Sequence, residues 1–552
     1  MTNEPANSKP KLRVGLLLDS LTQPRWVFKI INDIRSSHFA EICLVVKNEA
    51  ESTGQRRGRL QNYWKNRKHL LYAFYNRVDA RTSLPEENAF EEVHTEELLA
   101  NVPVLGVTPI MKKFSDWFPD DAVQKIRSYD LDVVISHGFR ILRGEALRIA
   151  KHGVWSYHHA DNLVNRGGPS GFWEVMEGSA ISGAVLQVLS EDLDNGEVIN
   201  RAWSRTSDRF SVKVSKNNLY WRSSTFVLRK LKELYENGKV VSDTNVFRPY
   251  YNRLYKMPTN AELLPRLYKL TWFYAAQKTR YSFFFDQWQL AYRFRNSPDD
   301  PNNSFYRFNY LVPPKDKFWA DPFPVKSEGK YFVFFEEYIY KDDKAHISVI
   351  ELNKSGASEV TPVLKRDYHL SYPFMLHWND RYYMIPETAG NKTIEVYAAE
   401  RFPNEWKLET VLFEGIAARD ATLFEVEGVW WMFVAIADTE FSDELHIYYS
   451  ESPLGSWKPH AKNPVKSDVR NSRPAGRPFY WKGDLYRPAQ DSSERYGYAM
   501  RINKVVQLTP TEFREEEVSQ ILPQWRKDLR GTHTLNICDD LTVIDCLVHR
   551  RK

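Results

Sequence analysis

A repeat in the second half of this chain sets the strongest limit on its architecture. Asp321-Pro322-Phe323 leads into Gly329–Glu336, and Tyr372-Pro373-Phe374 leads into Asp380–Glu387. Asp420–Phe424 precedes Gly428–Phe433, and Arg477-Pro478-Phe479 precedes Gly483–Pro488. A degenerate fifth copy runs from His533-Thr534-Leu535 through Asp539-Asp540 to Val543-Ile544-Asp545. Successive copies lie 51, 48, 57 and 56 residues apart. Each joins two aromatic-rich apolar runs through a turn of Gly or Asp, a pattern that predicts a hairpin. A hairpin recurring with a period near 50 predicts a β-propeller. Five copies predict five blades over residues 282–552, with the start of the domain closing the last blade.

The first 240 residues have a different texture. Leu12–Leu18 is a continuous apolar run, as expected of a strand buried on both faces. Val27, Ile30, Ile31 and Ile34 follow at helical spacing. Glu41–Val46 and Leu131–Ser136 supply further strands, the latter ending at His137-Gly138. The alternation predicts an α/β, Rossmann-like domain with a parallel sheet and crossover helices over residues 1–240. No GxGxxG follows the first strand, which argues against a dinucleotide site. Between the two domains, residues 241–281 read as a helical linker rich in aromatic and basic residues.

Composition narrows the function classes. Lys and Arg total 76 against 71 Asp and Glu, a balance too even for a dedicated nucleic-acid binder. A mean hydropathy of −0.53 excludes a polytopic membrane protein. Cys43, Cys538 and Cys546 are too few for a disulfide framework and lack metal-ligand spacing, so no metal is expected. The apolar run Val14–Leu18 stops at Asp19, too short for a leader. Together these features predict a cytoplasmic chain. Two segments mix cations with aromatics: Arg56, Arg57, Arg59, Lys65, Arg67 and Lys68 around Tyr63 and Trp64, and Leu263–Phe294. They fit a solvated face and an interdomain helix pair, or peripheral contact with an anionic membrane.

Chemistry concentrates in two places. Residues 153–168 read GVWSYHHADNLVNRGG and residues 191–198 read EDLDNGEV. A His-rich strand end, an Arg-Gly loop and a later Asp-Asn-Gly turn are parts for acid–base work at the carboxyl ends of a parallel sheet. The same residues also suit a structural role. This segment resembles the N10-formyltetrahydrofolate-dependent formyltransferases, the family of methionyl-tRNA and sugar N-formyltransferases. Ser156-Tyr157-His158 falls on that family's Asn-x-His, Arg166-Gly167 on the end of its SLLPxYRG loop, and Leu193-Asp194-Asn195-Gly196 on its LDxG turn. The resemblance implies N10-formyltetrahydrofolate as donor, His158 as acid/base, Asp194 as its partner and Ser156 in the place of an oxyanion-binding Asn. His159, Asp161, Asn162, Arg166 and Gly167 would border the donor. Two departures stand out: Ser replaces Asn, and a polar Ala160-Asp161-Asn162-Leu163 replaces the apolar loop.

The repeat half resembles the five-bladed arabinanase and levansucrase group of glycoside hydrolases. It is more similar still to the propeller at the N-terminus of plant glucosamine inositolphosphorylceramide transferases. Trp319–Pro322, Arg419–Ala421, Leu445–Trp457 and Ser472–Phe479 carry the likeness. Asp321, Glu387 and Asp420, with Arg419, Arg477 and His533, are the candidate cavity residues. The carboxylates could cleave a glycosidic bond or cap strands and pair with arginines. Three functions follow: formyl transfer to an amino sugar or glycan precursor held by the propeller, glycoside hydrolysis or transglycosylation in the propeller, and a glycan-binding scaffold without turnover.

Overall fold

The computed structural model describes residues 9–50, 67–83, 85, 87–192, 194–206, 210–242, 249–295, 304–436 and 444–552. Arg56, Arg57, Arg59, Tyr63, Trp64, Lys65 and Leu193 lie outside them. The chain forms two compact units, Met1–Tyr274 and Ala275–Lys552.

The first unit is built on seven strands: β1 Leu12–Leu18, β2 Ala40–Asn48, β3 Val104–Val107, β4 Val133–Ser136, β5 Val154–His158, β6 Ile181–Val188 and β7 Glu197–Arg205. Their order is β7-β6-β5-β4-β1-β2-β3. The five strands from β5 to β3 pair in parallel. The expected parallel sheet is thus present, and β6 and β7 extend it at one edge, pairing antiparallel with β5 and with each other. Only residues 189–196 join β6 to β7, too short a connection for a crossover. Helix α1, Arg25–Ser36, buries Val27, Ile30, Ile31 and Ile34 on one sheet face with alternate β1 residues Val14, Leu16 and Leu18. Leu17, Leu44 and Val134 belong to a second core on the other face. Both faces of β1 are covered, which is why its sequence does not alternate.

The segment 241–281 holds a short strand and a long helix. Leu254–Tyr255 pairs with Arg166-Gly167. Leu263, Leu267 and Leu270 pack on Phe172 and Trp173.

The second unit is all-β, with five antiparallel sheets of four or five strands in succession. In four of them the leading hairpin turns on two residues with positive φ in the first, third and fourth sheets (Glu328-Gly329, Glu427-Gly428, Lys482-Gly483) and in the second (Asn379-Asp380). Such a pair of turn residues matches the twist of tight hairpins. The fifth sheet joins the two ends of the unit: Phe284–Phe294 pairs with Leu541–Arg551 from Phe284↔Arg551 to Phe294↔Leu541. In the first three sheets the register slips at one recurring place, and Asp321, Tyr372 and Asp420 each sit there at positive φ. The fourth repeat needs a correction. Trp481 faces Asp484 across its turn, as Ser327 faces Lys330 in the first. Arg477, four residues before Trp481, thus takes the place of Phe323 and not that of Asp321 or its neighbour.

Candidate functional site

In the first unit, strand order reverses between β1 and β4, and a crevice opens at the carboxyl ends of strands on either side of such a point. A cavity of about 570 Å³ lies there, lined by Trp26, Ser136, His137, Ser156, Asp194 and Tyr220 among others. Gly138 permits the close approach: a Cβ there would lie 1.9 Å from the Asp19 backbone nitrogen.

Ser156 and His158 alternate along β5 and so share one face. His158 is buried. Its Nε2 lies 2.8 Å from the Asn165 carbonyl, which can only accept, so this nitrogen carries a hydrogen. Its Nδ1 lies 3.4 Å from Asp194 Oδ1. The ring is thus held by the Asn165 carbonyl on one side and faces the Asp194 carboxylate on the other. The other Asp194 oxygen accepts from the Gly167 backbone nitrogen at 3.0 Å. Arg166 ties the two loops together, donating to the Asn162 carbonyl and to Asn195 Oδ1, each at 2.9 Å, while stacking on Tyr250. Gly167 has φ +101, and a Cβ there would come within 2.2 Å of the Tyr255 carbonyl oxygen. Residues far apart in sequence thus converge on Asp194.

The polar loop behaves differently from its appearance in the sequence. Asp161 accepts from Arg201 at 2.6 Å, from Trp203 Nε1 at 2.8 Å and from the Leu163 nitrogen at 3.0 Å. Asn162 accepts from Arg201 at 2.9 Å. Arg201, on β7, holds the loop by its polar side chains, and neither Asp161 nor Asn162 lines the cavity. His159 does line it, inside an aromatic stack: its ring lies 3.5 Å from that of Tyr220 and edge-on to Trp26. Burial holds His159 well below the ordinary imidazole range and His137 at about 4, so both stay neutral. His137 Nε2 is buried without a protein partner, a polar atom left for a ligand. Trp26, His137, Arg201 and Tyr220 were not singled out from sequence; only the strand-end position of His137 marked any of them.

The second candidate cluster lies where the leading strands of the five sheets meet. Tyr372 N donates to Asp321 Oδ2 at 3.3 Å, and the Tyr372 hydroxyl bonds Thr422 at 2.8 Å. Arg473 binds both oxygens of Asp420 and reaches Glu387 at 3.3 Å. Leu535 N donates to the Ala475 carbonyl at 2.8 Å, and Thr534 Oγ1 to Asp321 Oδ1 at 2.6 Å. These bonds run through the first three sheets and on through the segments that lead into the fourth and fifth sheets, back to Asp321. His533 stacks on Trp288 at 4.1 Å and pairs with Asp545 at 2.5 Å. Burial opposes its charge, yet Asp545 and Asp321 raise it to about 9. Burial pushes Asp321 up to about 7, against the pull of His533, and Glu387 up to about 8, where Asp420 adds to it and Arg473 and Arg419 oppose it. Among the described residues Asp321, His533 and Asp545 bring one ligand atom each within 4.8 Å of one another, though Asp545 already occupies His533 Nδ1. Arg477 is apart from this group: it bonds the Met375 carbonyl and lies over Phe374, as its corrected register requires. Asp545, missed from sequence, occupies a strand position that carries Phe334, Ile385 and Phe433 in the first three sheets; that acid among apolar counterparts was the available signal.

Residues 312–536 match the family model described as glucosamine inositolphosphorylceramide transferase 1, N-terminal. The enzyme of that name from Oryza sativa subsp. japonica is 36% identical over 217 residues, which are 38% of this chain and 29% of the relative. The match thus spans less than a third of that relative's length. Methionyl-tRNA formyltransferase from Prochlorococcus marinus subsp. pastoris is 29% identical over 110 residues, 20% of this chain and 33% of the relative. Among solved structures, the family 117 glycoside hydrolase Zg3597 of Zobellia galactanivorans aligns with a TM-score of 0.32 at 14% identity, covering 48% of this chain and 90% of that one. The first unit is formyltransferase-like, and the second carries a region homologous to the glucosamine inositolphosphorylceramide transferases.

Proposed function

We propose that the first unit transfers a formyl group to an amine of a sugar or glycan precursor, and that the second unit closes as a five-bladed propeller that binds the glycan. The observation that carries the first part is the His158–Asp194–Gly167 arrangement beside a cavity at the strand-order reversal. The cavity suits a folate donor: Trp26 and Tyr220 are among its lining residues, and His137 Nε2 is an unpaired buried polar atom. When bound, the donor supplies a formyl group carried on nitrogen. The chain manages position and protons. Ser156, on the same face of β5 as His158, can donate its hydroxyl hydrogen to a developing oxyanion. Once His158 Nε2 exchanges the Asn165 carbonyl for the reacting group, it can take up the proton that the attacking amine releases and pass it to the departing nitrogen. Asp194, facing Nδ1, stabilises the imidazolium while the ring carries that proton.

Two observations support the propeller: the chain of bonds through the first three sheets and the segments leading into the fourth and fifth, and the pairing of Phe284–Phe294 with Leu541–Arg551. Binding is favoured over hydrolysis because Asp321 and Asp420 are 3% and 1% exposed and their oxygens are taken by Thr534, Tyr372, Arg473 and Gln490. A binding module also raises the effective concentration of a small acceptor amine.

The test is a calorimetric titration of the protein with a stable N10-formyltetrahydrofolate analogue, beside Trp26→Ala and His158→Ala. Binding is expected in the native chain, weakened by Trp26→Ala and retained by His158→Ala, whose ring is buried under the loop. Absence of heat at millimolar ligand would sink the formyl-donor reading.

A further inference from the structure

Two helices of the first unit present apolar stripes outward. Helix α2, Leu70–Thr82, turns Leu71, Tyr72 and Tyr75 onto the Phe172–Trp173 cluster. Its outer side carries Leu70, Phe74 and Val78, spaced four apart, with Phe74 65% exposed. Helix α3, Asn260–Phe283, rests Leu263, Leu267 and Leu270 on the same cluster. Its stripe Leu264, Tyr268 and Trp272, again four apart, lies roughly 130° around the helix from those contacts. Tyr268 and Trp272 are 71% and 68% exposed. Asn260 clasps the starts of the two helices: its Oδ1 accepts from Leu71 N at 3.0 Å and its Nδ2 donates to the Arg67 carbonyl at 2.7 Å. His69 Nδ1 lies 2.7 Å from the Pro258 carbonyl. The stripes therefore start side by side on one support.

The charge around them is predominantly of one sign. Lys68, Arg77 and Arg81 accompany the first stripe and Lys269 the second, while Arg266 is taken up by Glu177 at 3.6 Å and Glu262 by Arg253 at 3.1 Å. From Leu263 to Phe285 the sequence has no Asp or Glu. Asp79, the one acid of α2, is buried and accepts from Ser211 and from the Lys213 backbone nitrogen. A soluble surface seldom groups exposed Phe, Tyr and Trp in register. Aromatics that can enter the acyl boundary, flanked by cations and with the nearby Glu177 and Glu262 paired to Arg266 and Arg253, complement an anionic bilayer.

We propose that this two-helix face docks the protein on the surface of an anionic phospholipid membrane, with Phe74, Tyr268 and Trp272 entering the interface and the flanking cations meeting the headgroups. This is an interfacial contact. Among the described residues no helix is long and apolar enough to cross a membrane.

Flotation of the full chain with phosphatidylcholine vesicles, with and without phosphatidylserine, tests the proposal. Binding is expected only with phosphatidylserine, and it should fall as salt rises. The double variant Phe74→Glu/Trp272→Glu should lose about tenfold or more in partitioning, and Lys269→Glu about tenfold. Tyr480→Glu, an exposed aromatic of the second unit, should change nothing. Melting temperature and folate-analogue binding show whether the variants are folded. Equal binding to both vesicle types, a folded double variant that partitions normally, or a self-association that the double variant abolishes would each overturn the proposal.

Discussion

Replacing Asp194 by Asn probes the site without disturbing its frame. The side chain keeps its shape, and an amide oxygen can still accept from Gly167 N, now 3.0 Å from Oδ2. The amide nitrogen then faces His158 Nδ1 across 3.4 Å and can only donate. Nδ1 must become an acceptor, while Nε2 keeps its hydrogen for the Asn165 carbonyl. The ring is locked as the neutral Nε2–H tautomer and has no proton to spare at Nδ1. Two unit charges 3.4 Å apart at an effective dielectric near 20 interact by about 5 kcal/mol, which sets the upper limit of the loss. The cost of desolvating Asp194 is removed at the same time, so the rate of formyl transfer should fall about 10²- to 10⁴-fold. Selective ¹⁵N-histidine spectra read the tautomer without an acceptor substrate: in the variant the His158 hydrogen should sit on Nε2 and not on Nδ1 while melting temperature stays put. Formyl transfer measured as release of deformylated folate supplies the rate. A variant within threefold of the native rate, or one that keeps Nδ1 protonated, would refute the reasoning.

Two further predictions concern the second unit. Arg473→Met removes the cation shared by buried Asp420 and Glu387, and should destabilise this unit by about 3–5 kcal/mol in urea unfolding; a loss under about 1 kcal/mol would show that the carboxylates do not depend on it. His533, raised to about 9, binds its proton more tightly folded than unfolded, so its contribution is complete below about pH 6.5 and lost as pH climbs through 9. Asp321 and Glu387, raised to about 7 and 8, also bind more protons when folded, so they act with the same sign. The melting temperature of this unit should therefore drop between pH 6.5 and 9, His533 supplying of the order of 3 kcal/mol, and His533→Gln should flatten the slope. A melting temperature that rises over that range contradicts the assignment.

The elements were legible where a local pattern repeats. Strand β1 runs over Leu12–Leu18 as its apolar run predicts, and α1 buries the four residues that its spacing selects. The hairpins of the second unit follow their turn residues. His158, Asp194, Arg166 and Gly167 were marked by the resemblance of three short motifs to a known family, not by spacing alone, and the fold brings them together. Register was less legible: one bulge or a shorter leading strand moves every later side chain to another position, and that displaced Arg477 from the expected cluster.

What the chain alone determined, then, is periodicity: a strand covered on both faces, an amphipathic helix, a hairpin returning about every 50 residues, and a set of polar residues at strand ends. Those follow from local sterics and from apolar burial, which act over a few residues. The tertiary structure decided which polar groups are satisfied, because partners come from anywhere in the chain. Asp161 reads as a polar intrusion into a ligand loop until Arg201 and Trp203, forty residues on, take up its oxygens. Asp545 reads as one more strand residue until His533 closes on it. Burial makes an unpaired charge costly, so the fold settles each of these groups by pairing that the local pattern of apolar and polar residues does not encode.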